Sequence, residues 1–207
     1  MVYPKVYAHA DLARKLARTF GKLQKRDKRK MNTLSYIKRK YHLSFDSPMP
    51  IILKGIGRHS GFKGLMNELG FTSGAEIGTR VGSYAEELCL ALPGLKLYCI
   101  DPWKIYPGYE EVFEQGEIDR QFEEAKTRLA PYNCEIIRKE SMEAVQDFQP
   151  ESLDFVFIDG NHEYKYVLDD ITEWTKKVRP GGIIYGHDYT LDHPGVMQAV
   201  HEYISKN

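Results

Sequence analysis

Residues 153–164, LDFVFIDGNHEY, carry a buried-looking apolar run that ends abruptly in Asp159, Gly160 and His162. The run reads as a strand, and its ending poses a question: a polar stop signal, or a chemical pair at the mouth of a site. On both sides of it the same punctuation recurs. Short β-rich runs at 74–78 (GAEIG), 95–101 (LKLYCID), 134–138 (CEIIR) and 181–186 (GGIIYG) alternate with helical stretches. That alternation predicts an α/β fold, a doubly wound parallel sheet covered by helices on both faces. The predicted helices start near Ser60, near Gly82 or Ser83, near Glu110, at Ser141 and at Tyr164. The last of these carries Val167, Leu168, Ile171 and Trp174 on one stripe and is ended by RPGG. In HPGVMQAVHEYI, Pro194 stands where a helix start favours proline.

The 207 residues, 42% of them hydrophobic, suffice for one full core. Net charge is zero, but residues 1–45 hold 13 of the 29 Lys and Arg against two acids, so a segment of +11 precedes a remainder of −11. This basic segment reads as helices, one with Leu12, Leu16, Phe20 and Leu23 in register and a second from Asn32 or Thr33 with Leu34, Ile37 and Tyr41 on one face. SFDSPMP marks the domain boundary, with a linker over 46–57, and the main domain is expected over 58–207. Cys89, Cys99 and Cys134 have neither zinc-ligand spacing nor the even count of a disulfide framework. No run approaches the roughly 18 apolar residues of a membrane span, and the N-terminus lacks a signal-peptide pattern, so a cytoplasmic protein is expected.

Ligands of open parallel sheets bind beyond the carboxyl ends of the strands, so the residues after each strand are the informative ones. After the first comes EIGTRVGSY, where Glu76, Gly78, Thr79, Gly82 and Ser83 form a tight loop into a helix. After the second comes Asp101, able to accept hydrogen bonds from both hydroxyls of a ribose, followed by Pro102 and Trp103. An acid where a dinucleotide fingerprint would place pyrophosphate disfavours NAD. It suits a cationic ligand such as S-adenosylmethionine. After the third strand, Glu140, Ser141 and Met142 stand where an adenine ring would lie, with Trp103 able to close over it; Ser141 as a plain helix cap is the alternative. After the fourth and fifth come Asp159 with His162 and His187 with Asp188. Deprotonating an acceptor hydroxyl needs a base such as histidine or a divalent cation held by hard carboxylate ligands, magnesium or a similar ion.

Together EIGTRVGSYA, IDPW, FIDGNHEYKYVLDDI and RPGGIIYGHDY resemble class I S-adenosylmethionine-dependent methyltransferases, and most closely the methyltransferase family 24 domain, over about residues 58–204. The resemblance implies a Rossmann-like sheet, from which this sequence departs: only five strands are read, expected in the order 3-2-1-4-5, so that the sixth and seventh strands usual in the family are missing and the fifth is left as an edge. A second copy, the PIIL at 50–53 or the N-terminal helices are the candidates to cover that edge. It places the cofactor loop on Glu76, Gly78 and Gly82, the ribose acid on Asp101, a metal-ligating aspartate on Asp159 and a base on His162. The further ligands fall on His187 and Asp188, and His187 stands where such enzymes carry glutamate, which favours the histidine mechanism over the metal one. The expected activity is O-methylation of a small molecule or sugar. The competing reading is an RNA-directed methyltransferase, or an RNA-binding protein on a degenerate core, gripping phosphates with the basic segment.

Overall fold

The computed structural model describes residues 32–44, 46, 49–52, 62–105 and 114–207. Contacts divide the chain into two units, Met1–Ser47 and Pro48–Asn207. The first contributes α1 (Thr33–Lys40), where the Asn32 side chain caps the helix by accepting from the Ser35 N–H at 2.8 Å. The expected helix through Leu12 and Leu23 lies outside the described residues, as do the expected helix starts near Ser60 and Glu110.

The second unit runs α2 (Lys63–Leu69), β1 (Ser73–Ile77), α3 (Ser83–Ala91), β2 (Lys96–Ile100), α4 (Gln115–Leu129), β3 (Cys134–Ile137), α5 (Ser141–Ala144), β4 (Leu153–Ile158), α6 (Tyr164–Thr175), β5 (Val178–Gly186) and α7 (Pro194–Lys206). Its five strands are all parallel, in the order β3-β2-β1-β4-β5, the expected Rossmann-like arrangement. β4 lies between β1 and β5 and under helices on both faces, which is why its sequence is almost continuously apolar. On one face Ala75, Ile77, Val156 and Ile158 pack against Val167, Ile171 and Trp174 of α6 and Val196 and Ala199 of α7. On the other, Leu97, Cys99, Phe155 and Phe157 pack against Tyr84, Ala85 and Leu88 of α3 and Leu129 of α4. Each fully buried large side chain in these layers contributes about 1.5–3 kcal/mol.

One predicted boundary moves. RPGG does not separate helix from strand: α6 stops at Thr175, and Val178–Gly186 is one strand whose register against β4 shifts between Leu153 and Phe155. The bulge absorbs Pro180, and an edge strand tolerates a proline that lacks a ladder N–H. Among the described residues β5 pairs with β4 alone, and Ile51 and Ile52 form no strand beside it. The three cysteines are free thiols; those of Cys89 and Cys134 lie 3.4 Å apart.

Candidate active site

Strand order reverses between β1 and β4, so their carboxyl ends open a crevice. The loop after β1 forms its floor. Gly78 donates its N–H to the Ile100 carbonyl at 2.9 Å, and Gly82 donates to the Thr79 carbonyl at 2.8 Å, turning the chain into α3. Gly78 has φ +93°, and a Cβ there would lie 2.1 Å from the Asp159 carbonyl oxygen, so only glycine lets the two loops meet. Ser83 opens α3, next to Gly82 at its cap.

Glu76 alternates with Ala75 and Ile77 and so faces the α3 side, 2% exposed. Among the described residues its Oε2 and the Thr79 hydroxyl have no hydrogen-bond partner. Burial pushes the Glu76 carboxyl well above its usual range; the nearby Thr79 hydroxyl opposes this, and the carboxylates of Asp159 and Asp101 raise it further. Burial favours the neutral form of this carboxyl, and a cation placed beside it would favour the ionised one.

Asp101 is fixed by its own loop. Its two oxygens accept from the backbone N–H groups of Trp103 (2.8 Å) and Arg80 (2.9 Å), which partly offset the upward push of burial on its pKa. Each oxygen keeps further acceptor capacity. Pro102 follows at the rim, half-buried.

Two predicted roles are corrected. Trp103 does not close over the site: it is 1% exposed, its ring packs on Phe122, and its indole N–H donates to the Arg80 carbonyl at 2.8 Å. It anchors the loop that holds Asp101. Ser141 neither offers its hydroxyl to an adenine edge nor caps its helix, whose cap position is Glu140. The hydroxyl donates to the buried Asp170 carboxylate and accepts from the Trp174 indole N–H at 2.8 Å. Glu140 forms an exposed ion pair with Lys104 at 3.1 Å, and Met142 packs on the α6-side core.

The ends of β4 and β5 bring four predicted residues together. His162 Nε2 lies 3.0 Å from Asp188 Oδ2, and His187 Nδ1 lies 2.7 Å from Asp188 Oδ1 and 3.9 Å from Asp159 Oδ1. Burial raises the Asp188 pKa, but the hydrogen bond from His187 and the charges of His187, His162 and His193 outweigh it and hold the carboxyl below the usual range. Asp159, His187 and Asp188 could hold a cation, as could His162, Asp188 and His193.

Two residues of this region escape the strand-end pattern. Asp170 carries a signal of another kind: an acid on the buried stripe of Val167, Ile171 and Trp174. His193 has only its place in the loop after β5, beside a proline read for its helix-starting role.

The parallel sheet, its order and the acidic crevice at the switch point define the class I methyltransferase architecture. Residues 75–189, more than half the chain, match the methyltransferase domain of family 24, and the chain belongs to that family. It is 36% identical over 140 residues to uncharacterized protein R132 of Acanthamoeba polyphaga mimivirus, covering 63% of this chain and 58% of that protein. It is 27% identical over 130 residues to uncharacterized protein y4gI of Sinorhizobium fredii, covering 58% of this chain and 13% of that one. The chain thus spans less than two thirds of the length of either curated relative. Its fold is shared with the O-methyltransferase TomG of Streptomyces achromogenes, involved in tomaymycin synthesis and solved with S-adenosylmethionine (TM-score 0.53, 20% identity, 84% of this chain and 76% of that one). Cofactor-bound Rv0187 from MTB is comparable (TM-score 0.51, 16% identity, 75% and 70%).

Proposed function

We propose that this chain transfers a methyl group from S-adenosylmethionine to a hydroxyl oxygen of a small molecule or sugar, with His162 as the base. The observation that carries the reading is the buried Glu76 carboxyl at the switch point, its Oε2 without a hydrogen-bond partner among the described residues and with Asp101 and Asp159 in electrostatic reach. The carboxyl groups of this crevice give a pyrophosphate no favourable partner, and a cation beside Glu76 would offset the repulsion from Asp101 and Asp159 and favour its ionised form. S-adenosylmethionine brings an ammonium group and a sulfonium whose methyl is electrophilic, and departs as a neutral thioether.

Asp101, locked by two backbone N–H groups, is preorganised to accept ribose hydroxyls. Gly78, Thr79, Gly82 and Ser83 line the turn where a ligand approaches backbone. His162 takes the proton of the acceptor hydroxyl, and Asp188 orients the imidazole and stabilises its charged form. Asp159 borders the same crevice. A magnesium-like ion, if used, would be held by Asp159, His187 and Asp188 and would lower the acceptor's pKa.

Calorimetry with S-adenosylmethionine and its homocysteine product, followed by turnover of hydroxylated acceptors with and without chelator, tests the reading. Micromolar binding is expected, and none at millimolar ligand overturns it. Turnover that survives chelation assigns the proton to His162; turnover that chelation abolishes assigns the activation to the cation.

The +11 segment over residues 1–45 supports a second reading, in which the acceptor is RNA. Salt-dependent RNA binding lost on removing that segment would favour it, and binding unchanged by the removal would dismiss it.

A further inference from the structure

We propose that His162, Asp188 and His193 form a binding site for a borderline divalent transition-metal ion, with zinc as its natural probe. Three chain segments converge to make it. His162 comes from the loop after β4. Asp188 comes from the loop after β5, where its backbone is left-handed (φ 57°). His193 stands at the cap of α7. The convergence depends on Gly195: a Cβ there would lie 2.6 Å from the His162 carbonyl oxygen and 2.7 Å from the Tyr164 nitrogen, so the start of α7 can press against the β4–α6 loop only with glycine. That contact sets the His193 ring beside the His162 ring, centroids 4.3 Å apart.

The donors are placed for one ion. His162 Nε2 is 3.0 Å from Asp188 Oδ2, His193 Nε2 is 3.9 Å from Asp188 Oδ1, and one donor atom of each residue lies within 4.8 Å of the other two. Ligand atoms around a tetrahedral zinc are about 3.3 Å apart, so rotamer-scale movement closes the set. Side-chain exposures of 25%, 19% and 25% leave an ion access while limiting competition from bulk water. Two imidazoles and one carboxylate suit zinc, cobalt or nickel, whereas magnesium prefers oxygen and retains its water. The site differs from the oxygen-richer set of Asp159, His187 and Asp188 in both its histidines, and shares only Asp188 with it.

A functional consequence follows that rests on His162 being the base. An ion on Nε2 leaves His162 as a metal ligand with its other nitrogen protonated, and so without a lone pair for the acceptor proton. Zinc occupancy therefore inhibits methyl transfer.

The test uses the full chain without S-adenosylmethionine. Zinc and magnesium are titrated by calorimetry, and cobalt is titrated with its visible absorption as a second readout. The expected result is one zinc per chain with magnesium much weaker, an affinity lost or at least about a hundred-fold lower in His193→Asn, and a smaller loss, of about ten-fold, in His187→Ala, whose imidazole only bonds the ligand Asp188. Asparagine is a favoured residue at the cap position of α7, and thermal melts check that the variant is folded. Absence of zinc binding to the wild-type chain overturns the proposal, as does loss of binding in His187→Ala with retention in His193→Asn. S-adenosylhomocysteine binding, measured on the same samples, separates the two readings: zinc bound without it leaves the metal site standing and removes the methyltransferase reading, and the converse removes the metal site alone.

Discussion

His162 Nε2 and Asp188 Oδ2 lie 3.0 Å apart across loops that follow two neighbouring parallel strands, β4 and β5. The carboxylate is held ionised by the histidines around it, so it can fix the tautomer of His162 and stabilise a proton taken up there. Parallel strands deliver this pairing because both loops leave the sheet at the same end.

His162→Gln is expected to lower kcat by about a hundred- to ten-thousandfold while leaving S-adenosylhomocysteine affinity unchanged. Asp188→Asn should give a smaller loss of the same kind. Initial rates with calorimetry separate the effects; a variant that loses cofactor affinity in step with kcat would move His162 from the acceptor side to the cofactor side.

Asp101→Ala should weaken S-adenosylmethionine binding by about 1–3 kcal/mol, through loss of charge-assisted ribose hydrogen bonds and of the anchor for the Arg80 and Trp103 N–H groups. Calorimetry measures the first contribution, and chemical denaturation of the ligand-free variant isolates the second.

Gly78→Ala places a methyl group 2.1 Å from the Asp159 carbonyl oxygen at φ +93°. The loops after β1 and β4 must then separate. A destabilisation of more than about 1 kcal/mol is expected in urea unfolding, together with loss of cofactor binding.

Asp170 gives the chain a pH-dependent stability. Burial lifts its carboxyl to about 7, against the lowering effect of the Ser141 hydroxyl. An unfolded aspartate titrates near ~3.9. The folded chain therefore holds the extra proton between these values. The group's contribution is most favourable below about pH 4, falls by about 1.4 kcal/mol for each pH step of one as the medium becomes more alkaline, and levels off above about pH 7. Asp170→Asn should remove that slope, gaining on the wild type as pH rises from about 4 to about 8. Urea midpoints across the range measure it, and an unchanged slope in the variant would assign the pH dependence elsewhere.

The order of amino acids is enough to establish the parallel α/β class, the places of the five strands and the loops that border the crevice. Those properties are local: apolar runs of strand length, helical stripes, and Gly78, Asp101, Asp159 and His187 directly after strands. It also holds a usable sign of Asp170, an acid on an apolar stripe. Which way side chains at loop and helix starts turn is settled instead by packing between elements. Trp103 looks like a lid in IDPW, but Phe122 and the Arg80 carbonyl, both distant in sequence, draw it into the interior. Ser141 looks like a cap or an adenine contact, but Trp174 and Asp170 of α6 claim its hydroxyl. RPGG looks like a break, and becomes part of β5 because an edge strand next to β4 can bulge around a proline. His193 meets His162 only because α7 packs its glycine against the β4 loop. In each case the deciding partner lies on another element, and no local pattern records which elements will touch.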